Sequence, residues 1–366
     1  MKRKKFLVPA AFWITLLLGA GCIIYFKSSP PSPPYNLRAR HAAPLHPTPY
    51  PLQPAGASRR ALTSSRSVFV PYWAGEVSEK DMNYEIYYYF GVRPEAKGVL
   101  ENEPGLQNIP LVKNIPEKQK KIVLRMFDAT VTEAILQENA AQKMLISQML
   151  TIMNENAFSG IVLDIEVPFT LQADKKEQIT RLVQQICTEI KSDYKTCDLL
   201  IYGDFSYRNR PYDVKALGGV VDTILLMAYD FHKAVGEPGP NFPYEKNSTY
   251  DYDFQTMIQD TIALVPKNKI EVVFGMYGYD WTLNEQGTPL KGATALSLKS
   301  IQSKVLKSEG LKVKSNDARE KSFEYVDAEG LKHIVWYEDE ESAALKIKYL
   351  LEQGISQVSY WAYTYY

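Results

Sequence analysis

Two acidic residues, Asp164 and Glu166, interrupt an otherwise apolar run that extends from Ile161 to Val167. Apolar residues at both odd and even positions are typical of a strand covered on both faces, as in a parallel sheet flanked by helices. Because the acids are two residues apart, their side chains leave the same face of such a strand, with backbone positions about 6.5 Å apart. Burying an unpaired carboxylate costs several kcal/mol or shifts its pKa. A helix cap or a contact with an arginine would explain either acid alone, so the pair by itself leaves structural and acid–base roles open.

The stretch from Ser159 to Glu166 resembles a motif of glycoside hydrolase family 18, the chitinase-like (β/α)8 enzymes. The family's fourth strand is written Asp-Gly-x-Asp-x-Asp-x-Glu. Asp164 and Glu166 fill its last two acidic positions, whereas Ser159 and Val162 stand in place of the first two acids. The resemblance implies a (β/α)8 barrel that keeps the family's general acid and the carboxylate beside it.

Other predicted strand ends carry residues that resemble the same family. Each match alone is weak, because aromatic residues at strand ends usually pack in a core or at its rim. Their order along the chain is what supports the resemblance. The matching residues are Tyr72 after strand one, Met227, Tyr229 and Asp230 at the end of strand six, Tyr277 and Trp281 in a Tyr-Gly-Tyr-Asp-Trp segment similar to that of the spore-peptidoglycan branch, and Trp361 in strand eight.

The resemblance implies retaining hydrolysis in which the 2-acetamido group of the substrate is the nucleophile. Glu166 is expected to be protonated at the start, to donate to the glycosidic oxygen, and to act afterwards as the base for water. Asp164 is expected to be ionised, to orient the acetamide N–H and to stabilise the developing positive charge. Tyr229 is expected to hydrogen-bond the acetamide carbonyl oxygen. The absence of an acid at Val162 predicts a slower enzyme or a shifted pH optimum.

These roles predict an enzyme that cleaves β-linked N-acetylglucosamine polymers, with peptidoglycan favoured and chitin-type oligosaccharides as the other candidate. A non-catalytic carbohydrate-binding protein with the same fold is the alternative, because two motif acids are replaced. The resemblance assigns the remaining matches to substrate binding: Trp361 as the stacking floor, Asp230 and Met227 as one wall, and Tyr72, Tyr277 and Trp281 as further aromatic platforms.

Strand and helix patterns alternate along residues 67–366, which predicts one hydrolase-like domain. Eight strands in about 300 residues predict a closed (β/α)8 TIM barrel; a doubly wound open sheet is the alternative. The predicted strands are Val68 to Trp73, Tyr84 to Gly91, Lys121 to Phe127, Gly160 to Val167, Leu199 to Phe205, Thr223 to Tyr229, Ile270 to Tyr277 and Gln357 to Tyr363. The predicted helices are Thr132 to Asn156, Lys175 to Lys191, Phe254 to Leu264 and Glu340 to Gln353.

The gap between strands seven and eight is long enough for an insertion. Two alternating apolar runs, within residues 323 to 336, flank the sequence Asp327-Ala-Glu-Gly330, which is a hairpin signal. Residues from about 282 to 338 are therefore predicted to form a small hairpin-containing insertion, which resembles the insertion before the last strand of bacterial family 18 enzymes.

The first 66 residues differ in composition from the rest of the chain. Residues 1–27 place four basic residues before an apolar stretch, 6–26, whose helix would be about 31 Å long and would span a bilayer. An uncleaved membrane anchor is favoured over a cleaved signal peptide, with the domain beyond it periplasmic or extracellular. Residues 28–66, with nine prolines between Pro30 and Pro54, are predicted to be an extended linker.

Charge and cysteine content exclude several classes of function. The chain has 42 basic and 42 acidic residues, and ten of the basic but none of the acidic residues precede position 67. The remainder of the chain therefore has a net charge of about −10. An acidic domain argues against nucleic-acid binding. No His/Cys cluster has metal-ligand spacing, so we expect neither a metal nor a cofactor. Cys187 and Cys197 either pair or remain buried thiols.

Overall fold

The computed structural model describes residues 64–78, 82–167, 173–307, 311–315 and 318–365. The predicted membrane anchor at 6–26 and nearly all of the predicted linker at 28–66 lie outside these ranges. Among the residues that are described, no helix is both long enough and apolar enough to cross a bilayer.

Eight parallel strands close into a barrel, as predicted, with the order β1-β13-β7-β6-β5-β4-β3-β2. All eight coincide with the predicted strands to within a few residues. The barrel strands are β1 (Ser65–Pro71), β2 (Ile86–Val92), β3 (Lys120–Met126), β4 (Gly160–Ile165), β5 (Thr196–Tyr202), β6 (Ile224–Ala228), β7 (Ile270–Gly275) and β13 (Gln357–Trp361).

Helices follow most of the strands. They are α1 (Pro104–Gln107), α2 (Ala129–Gln137), α3 (Asn139–Glu155), α4 (Ala173–Ser192), α5 (Val214–Val220), α6 (Phe254–Ile262), α7 (Leu298–Lys307) and α8 (Glu340–Gln353). The single helix predicted from Thr132 to Asn156 is two helices, because Glu138 adopts an extended conformation between α2 and α3. The amide of Gln142 donates to the carbonyl oxygens of Ile135 and Leu136, which satisfies the carbonyl groups freed by the break.

Helix α8 has the bounds predicted from the sequence because both of its ends carry strong signals. Asp339 caps the start by accepting hydrogen bonds from the backbone N–H groups of Glu341 and Ser342. The helix ends at Gly354, whose φ of 83° is left-handed and is adopted without strain by glycine.

Side chains inside the barrel form layers. At the N-terminal end of the strands, the ammonium of Lys121 lies 2.5 Å from a carboxylate oxygen of Asp198, and the hydroxyl of Tyr88 donates to Glu271 at 2.9 Å. Above this polar floor lies an apolar layer that includes Val162. The mouth at the C-terminal ends of the strands is again polar, and it contains the acids of β4.

A second sheet, between β7 and β13, has the order β10-β11-β12-β8-β9. It confirms the predicted hairpin around Asp327 and Gly330. Strand β7 ends at Gly275, two residues before the predicted end, because Met276 turns out of the barrel and bonds the carbonyl oxygen of Trp361; Tyr277 already belongs to the second sheet. Its strands are β8 (Tyr277–Leu283), β9 (Thr294–Ser297), β10 (Lys314–Ser315), β11 (Lys321–Val326) and β12 (Lys332–Tyr337).

Cys187 and Cys197 form a disulfide, with their Cα atoms 5.3 Å apart. It joins the end of α4 to the start of β5. The sequence left open whether these two residues pair, and the structure pairs them.

Candidate active site at the mouth of the barrel

Strand β4 places both motif acids at the C-terminal mouth. Asp164 is fully buried, and its side chain points into the barrel, as does that of Val162 two residues earlier. Glu166 is the first residue after the end of β4. The backbone between them is fixed from two sides. The hydroxyl of Tyr212 donates to the carbonyl oxygen of Ile165 at 2.8 Å, and the N–H of Glu166 donates to the carbonyl oxygen of Met126 at 3.1 Å.

Burial controls the protonation of the two acids. It raises the pKa of Asp164 well above its ordinary value, and the carboxylate of Glu166 raises it further. Burial also raises the pKa of Glu166. Within the part of the chain that the structure describes, neither carboxyl oxygen of Asp164 has a hydrogen-bond partner. Burial therefore shifts the pKa of both groups upward, and the charge of Arg125 opposes this shift at Asp164.

Arg125 is part of this site and was not among the predicted residues. It lies directly opposite Asp164 in the register of β3 and β4, and its positive charge lowers the pKa of Asp164. The guanidinium carbon lies 4.7 Å from the ring centroid of Phe90 and 5.0 Å from that of Phe127. Its Nη1 donates to the carbonyl oxygen of Gly91 at 3.3 Å, and its Nε has no hydrogen-bond partner among the residues that the structure describes. Arg125 is therefore a half-buried cation held by aromatic rings and by one backbone carbonyl group. An arginine at an inward-facing position of a buried strand is the sequence signal from which this residue could have been predicted.

Glu166 faces several polar groups from β5 and the loop after β6. A hydrogen bond from Tyr202 lowers its pKa, Asp230 raises it, and the charges of Lys233 and Arg210 lower it. These effects are smaller than that of burial, so the pKa remains raised. A carboxyl group in this environment retains its proton closer to neutral pH than an exposed glutamic acid does.

Tyr229 follows the end of β6, and its hydroxyl lies close enough to both acids for their charges to act on it. Burial, followed by the charges of Glu166 and Asp164, raises the pKa of its hydroxyl well above the ordinary value. The hydroxyl therefore stays protonated and is able to donate a hydrogen bond. Met227, two residues earlier, belongs to the same inward-facing cluster and is nearly fully buried.

Asp230 is held in a strained conformation by its neighbours. Its φ of 57° is left-handed, and its N–H donates to the side-chain oxygen of Asn241 at 2.8 Å. The hydroxyls of Tyr277 and Tyr279 both donate to its carboxylate, the latter at 2.8 Å. Asn241 also donates to the carbonyl oxygen of Gly275 at 3.1 Å, so the loop after β6 is tied to the end of β7.

Trp361 closes the inward-facing aromatic cluster. Its ring lies 4.6 Å from that of Phe90 and 5.7 Å from that of Phe69, and it is partly exposed. The ring of Trp73 approaches Trp361 at 6.3 Å and is 48% exposed. Tyr72, the residue named from the sequence, packs against the outer core and contacts Trp73 edge-on, and its ring centroid lies 5.6 Å from the guanidinium carbon of Arg125. The alternate, inward-facing positions of β1 continue to Trp73, so this tryptophan is the better candidate for stacking on a sugar ring.

Two of the predicted platforms are wrong. Trp281 has no exposed surface, so its ring cannot stack on a sugar in this structure. It extends the row of aromatic rings formed by Tyr277 and Tyr279 on one face of β8. Tyr277 is only 6% exposed, and its hydroxyl is used to hold Asp230. The sequence could not show that strand seven leaves the barrel before these residues.

The two substituted motif positions have structural roles. The hydroxyl of Ser159 donates to the carbonyl oxygen of Lys120 at 3.0 Å. Val162 is fully buried in the apolar layer below Asp164. No carboxylate therefore lies on β4 below Asp164, and Arg125 is the charged residue paired with Asp164 across the strands.

A closed (β/α)8 barrel with two carboxyl groups at the C-terminal mouth has the architecture of a barrel glycosidase. The model of the family described as "Glycosyl hydrolases family 18" matches residues 73–365. The chain belongs to glycoside hydrolase family 18.

Known proteins similar to this chain include cortex-lytic and chitobiase enzymes. A cortical fragment-lytic enzyme of Bacillus anthracis is 26% identical over 242 residues, which are 64% of this chain and 53% of that protein. The di-N-acetylchitobiase of Homo sapiens is 23% identical over 238 residues, 59% of this chain and 60% of that protein. The crystal structure of the Bacillus cereus spore cortex-lytic enzyme SleL has a TM-score of 0.68 and 22% identity, covering 86% of this chain and 73% of that one. The chain thus spans little more than half the length of these curated relatives.

Proposed function

We propose that this chain is a retaining glycosidase that cleaves β-linked N-acetylglucosamine polymers by substrate-assisted catalysis, with peptidoglycan as the favoured substrate. The observation that carries the proposal is the juxtaposition of three groups at one mouth of the barrel. Asp164 and Glu166 leave the same face of β4, and the charges of both act on the neighbouring hydroxyl of Tyr229.

The reaction uses these groups in two steps. The carbonyl oxygen of the acetamide attacks the anomeric carbon while the bond to the glycosidic oxygen breaks, and Glu166 gives its proton to that oxygen. Water then adds to the same carbon and loses a proton to Glu166, so the acetamide is restored and the configuration is retained. The raised pKa of Glu166 suits the first step, because the acid must be protonated before the reaction begins.

Asp164 and Tyr229 position the nucleophile. The hydroxyl of Tyr229 donates to the acetamide oxygen, and Asp164 accepts from the acetamide N–H. As the acetamide becomes an oxazolinium, its positive charge is stabilised by the ionised carboxylate of Asp164. Arg125 favours this ionised form because its charge lowers the pKa of Asp164. Trp361, with Trp73 beside it, supplies the aromatic floor for the sugar ring.

The N-terminal sequence and the names of relatives support peptidoglycan as the substrate and a periplasmic or extracellular location. The anchor at 6–26 and the proline-rich linker at 28–66 would hold the barrel beside the wall, on the periplasmic or extracellular side of the bilayer. The name of the Bacillus anthracis relative, a cortical fragment-lytic enzyme, favours a wall polymer. Chitin-type oligosaccharides would suit the same catalytic groups.

A second function, carbohydrate binding without catalysis, is favoured by one observation: Ser159 and Val162 replace two motif acids. One experiment decides between the two. The protein and its Glu166→Gln variant are incubated with N-acetylglucosamine oligomers and with purified peptidoglycan, and released reducing ends are measured. Product from the first protein and none from the second supports the enzyme. Equal sugar binding by both, without product from either, supports the binding protein.

A further inference from the structure

A cationic cavity lies next to the candidate site, and none of its lining residues binds substrate or transfers a proton in the mechanism above. Its volume is about 380 Å³, and it is formed by the loops that follow β5 and β6. Its basic lining residues are Arg208, Arg210 and Lys233, and His232 also contributes to the wall. Burial lowers the pKa of His232, so the permanent positive charge of the cavity comes from the first three residues.

The two arginines are fixed by a single buried carboxylate. Asp204 accepts hydrogen bonds from Nε and Nη2 of Arg210, both at 2.7 Å, and from Nη1 of Arg208 at 2.6 Å. The other Nη of Arg208 donates to the carbonyl oxygen of Phe231 at 2.9 Å. One carboxylate therefore neutralises only half of the charge of two guanidinium groups, and their planes are held in place before any ligand arrives.

Lys233 adds a third cation without a counterion. Its ammonium lies 4.9 Å from the ring centroid of Tyr202, and across the ranges that the structure describes no carboxylate oxygen comes within 4 Å of it. The acidic lining residue, Glu237, is exposed. Three cations against Asp204 and Glu237 leave the cavity with a net positive charge.

Tyr202 connects this cavity to the catalytic acid. The guanidinium carbon of Arg210 lies 3.7 Å from the centroid of the Tyr202 ring, and the hydroxyl of the same tyrosine hydrogen-bonds Glu166. The positive charges of Lys233 and Arg210 act on Glu166. A sugar placed at Glu166 would therefore have its substituents within reach of the cationic lining.

We infer that this cavity binds a carboxylate carried by the glycan, and that it makes the site selective for carboxylated over neutral N-acetylglucosamine polymers. The inference rests on the proposed function, because it places a glycan at Glu166. In peptidoglycan the carboxylate is supplied either by the lactyl ether of the muramic residue or by the peptide attached to it. An ammonium and two preorganised guanidinium groups are suited to either source.

The test measures binding separately from cleavage. In a Glu166→Gln background, calorimetry compares three oligomers of equal length: a neutral N-acetylglucosamine oligomer, a peptide-free strand with lactyl carboxylates, and the same strand bearing peptides. We expect the carboxylated strands to bind at least about tenfold more tightly at low salt, and this preference to shrink as salt is added. If the peptide-free strand already binds more tightly than the neutral oligomer, the lactyl group supplies the carboxylate. If only the peptide-bearing strand binds more tightly, the peptide supplies it.

Lys233 is the residue to change, because its replacement breaks no ion pair shorter than 4 Å with any carboxylate that the structure describes. Lys233→Gln should remove most of the preference, Lys233→Arg should keep it, and Lys215→Gln, at an exposed lysine of α5, should leave it unchanged. Equal affinity for neutral and carboxylated strands, or a preference that survives Lys233→Gln, would overturn the inference. Failure of the unaltered protein to cleave any of the oligomers would instead refute the proposed function, since the binding comparison does not depend on cleavage.

Discussion

Glu271→Gln should change how the stability of the protein depends on pH while leaving the pH dependence of its activity unchanged. Glu271 lies in the polar floor of the barrel and accepts hydrogen bonds from the hydroxyl of Tyr88. Burial raises its pKa from the ordinary 4.5 to about 7. Glu166, the proposed catalytic acid, lies at the opposite end of the barrel, so titration of the floor and of the mouth can be separated.

The sign and the size follow from the pKa difference. A group whose pKa is higher in the folded protein binds its proton more tightly there, so its contribution to the free energy of unfolding falls as pH rises between the two pKa values. The difference of about 2.5 units corresponds to about 3 kcal/mol. Most of this, roughly 2 to 3 kcal/mol, is lost between pH 5 and pH 8. The amide introduced by Glu271→Gln cannot ionise, so the variant keeps this stability.

Urea unfolding at pH 5 and pH 8 tests this prediction. The two proteins should be similar at pH 5, and Glu271→Gln should be the more stable at pH 8. The pH–rate profiles for oligosaccharide cleavage should coincide. An equal loss of stability in both proteins from pH 5 to pH 8 would show that Glu271 is already ionised in the fold, and the reasoning from burial would be refuted.

Two further predictions concern buried charges. Arg125→Met removes the cation that lowers the pKa of Asp164. We therefore expect kcat to fall and the acidic limb of the pH–rate profile to move to higher pH. An unchanged profile would exclude Arg125 from the site. Lys346→Met leaves Glu320 and Glu338 buried without the ammonium that they share. The free energy of unfolding, measured by urea titration, should therefore fall by about 3 to 5 kcal/mol. A fall of less than about 1 kcal/mol would contradict this account of the network.

The barrel was predictable because its strands carry strong local signals. The run around Asp164 is apolar at both parities, and all eight predicted strands became barrel strands. The helix from Glu340 to Gln353 was predicted to the residue, because Asp339 and Gly354 mark its ends. The break between α2 and α3 was missed because the apolar spacing continues through Glu138, and the tertiary structure, not the local sequence, opens the helix there.

The candidate site was only partly predictable. Motif spacing and strand parity predicted inward-facing positions for four residues, and their catalytic and binding roles stay predictions. These residues are Asp164, Glu166, Tyr229 and Trp361. Trp281 was misassigned, because a sequence does not show where a strand leaves the barrel and becomes part of another sheet. Contacts between loops, such as those of Asn241 with Gly275 and Glu320, depend on chain segments far apart in sequence.

The central claim is that the acetamide of the substrate, and no group of the protein, attacks the anomeric carbon. It is tested most directly by comparing kcat/KM for two oligomers of equal length and linkage, one N-acetylated and one with free amines. We expect cleavage of the first and a loss of at least about a thousandfold for the second, since an intramolecular nucleophile would be missing. Comparable kcat/KM values for the two oligomers would contradict substrate-assisted catalysis at this site.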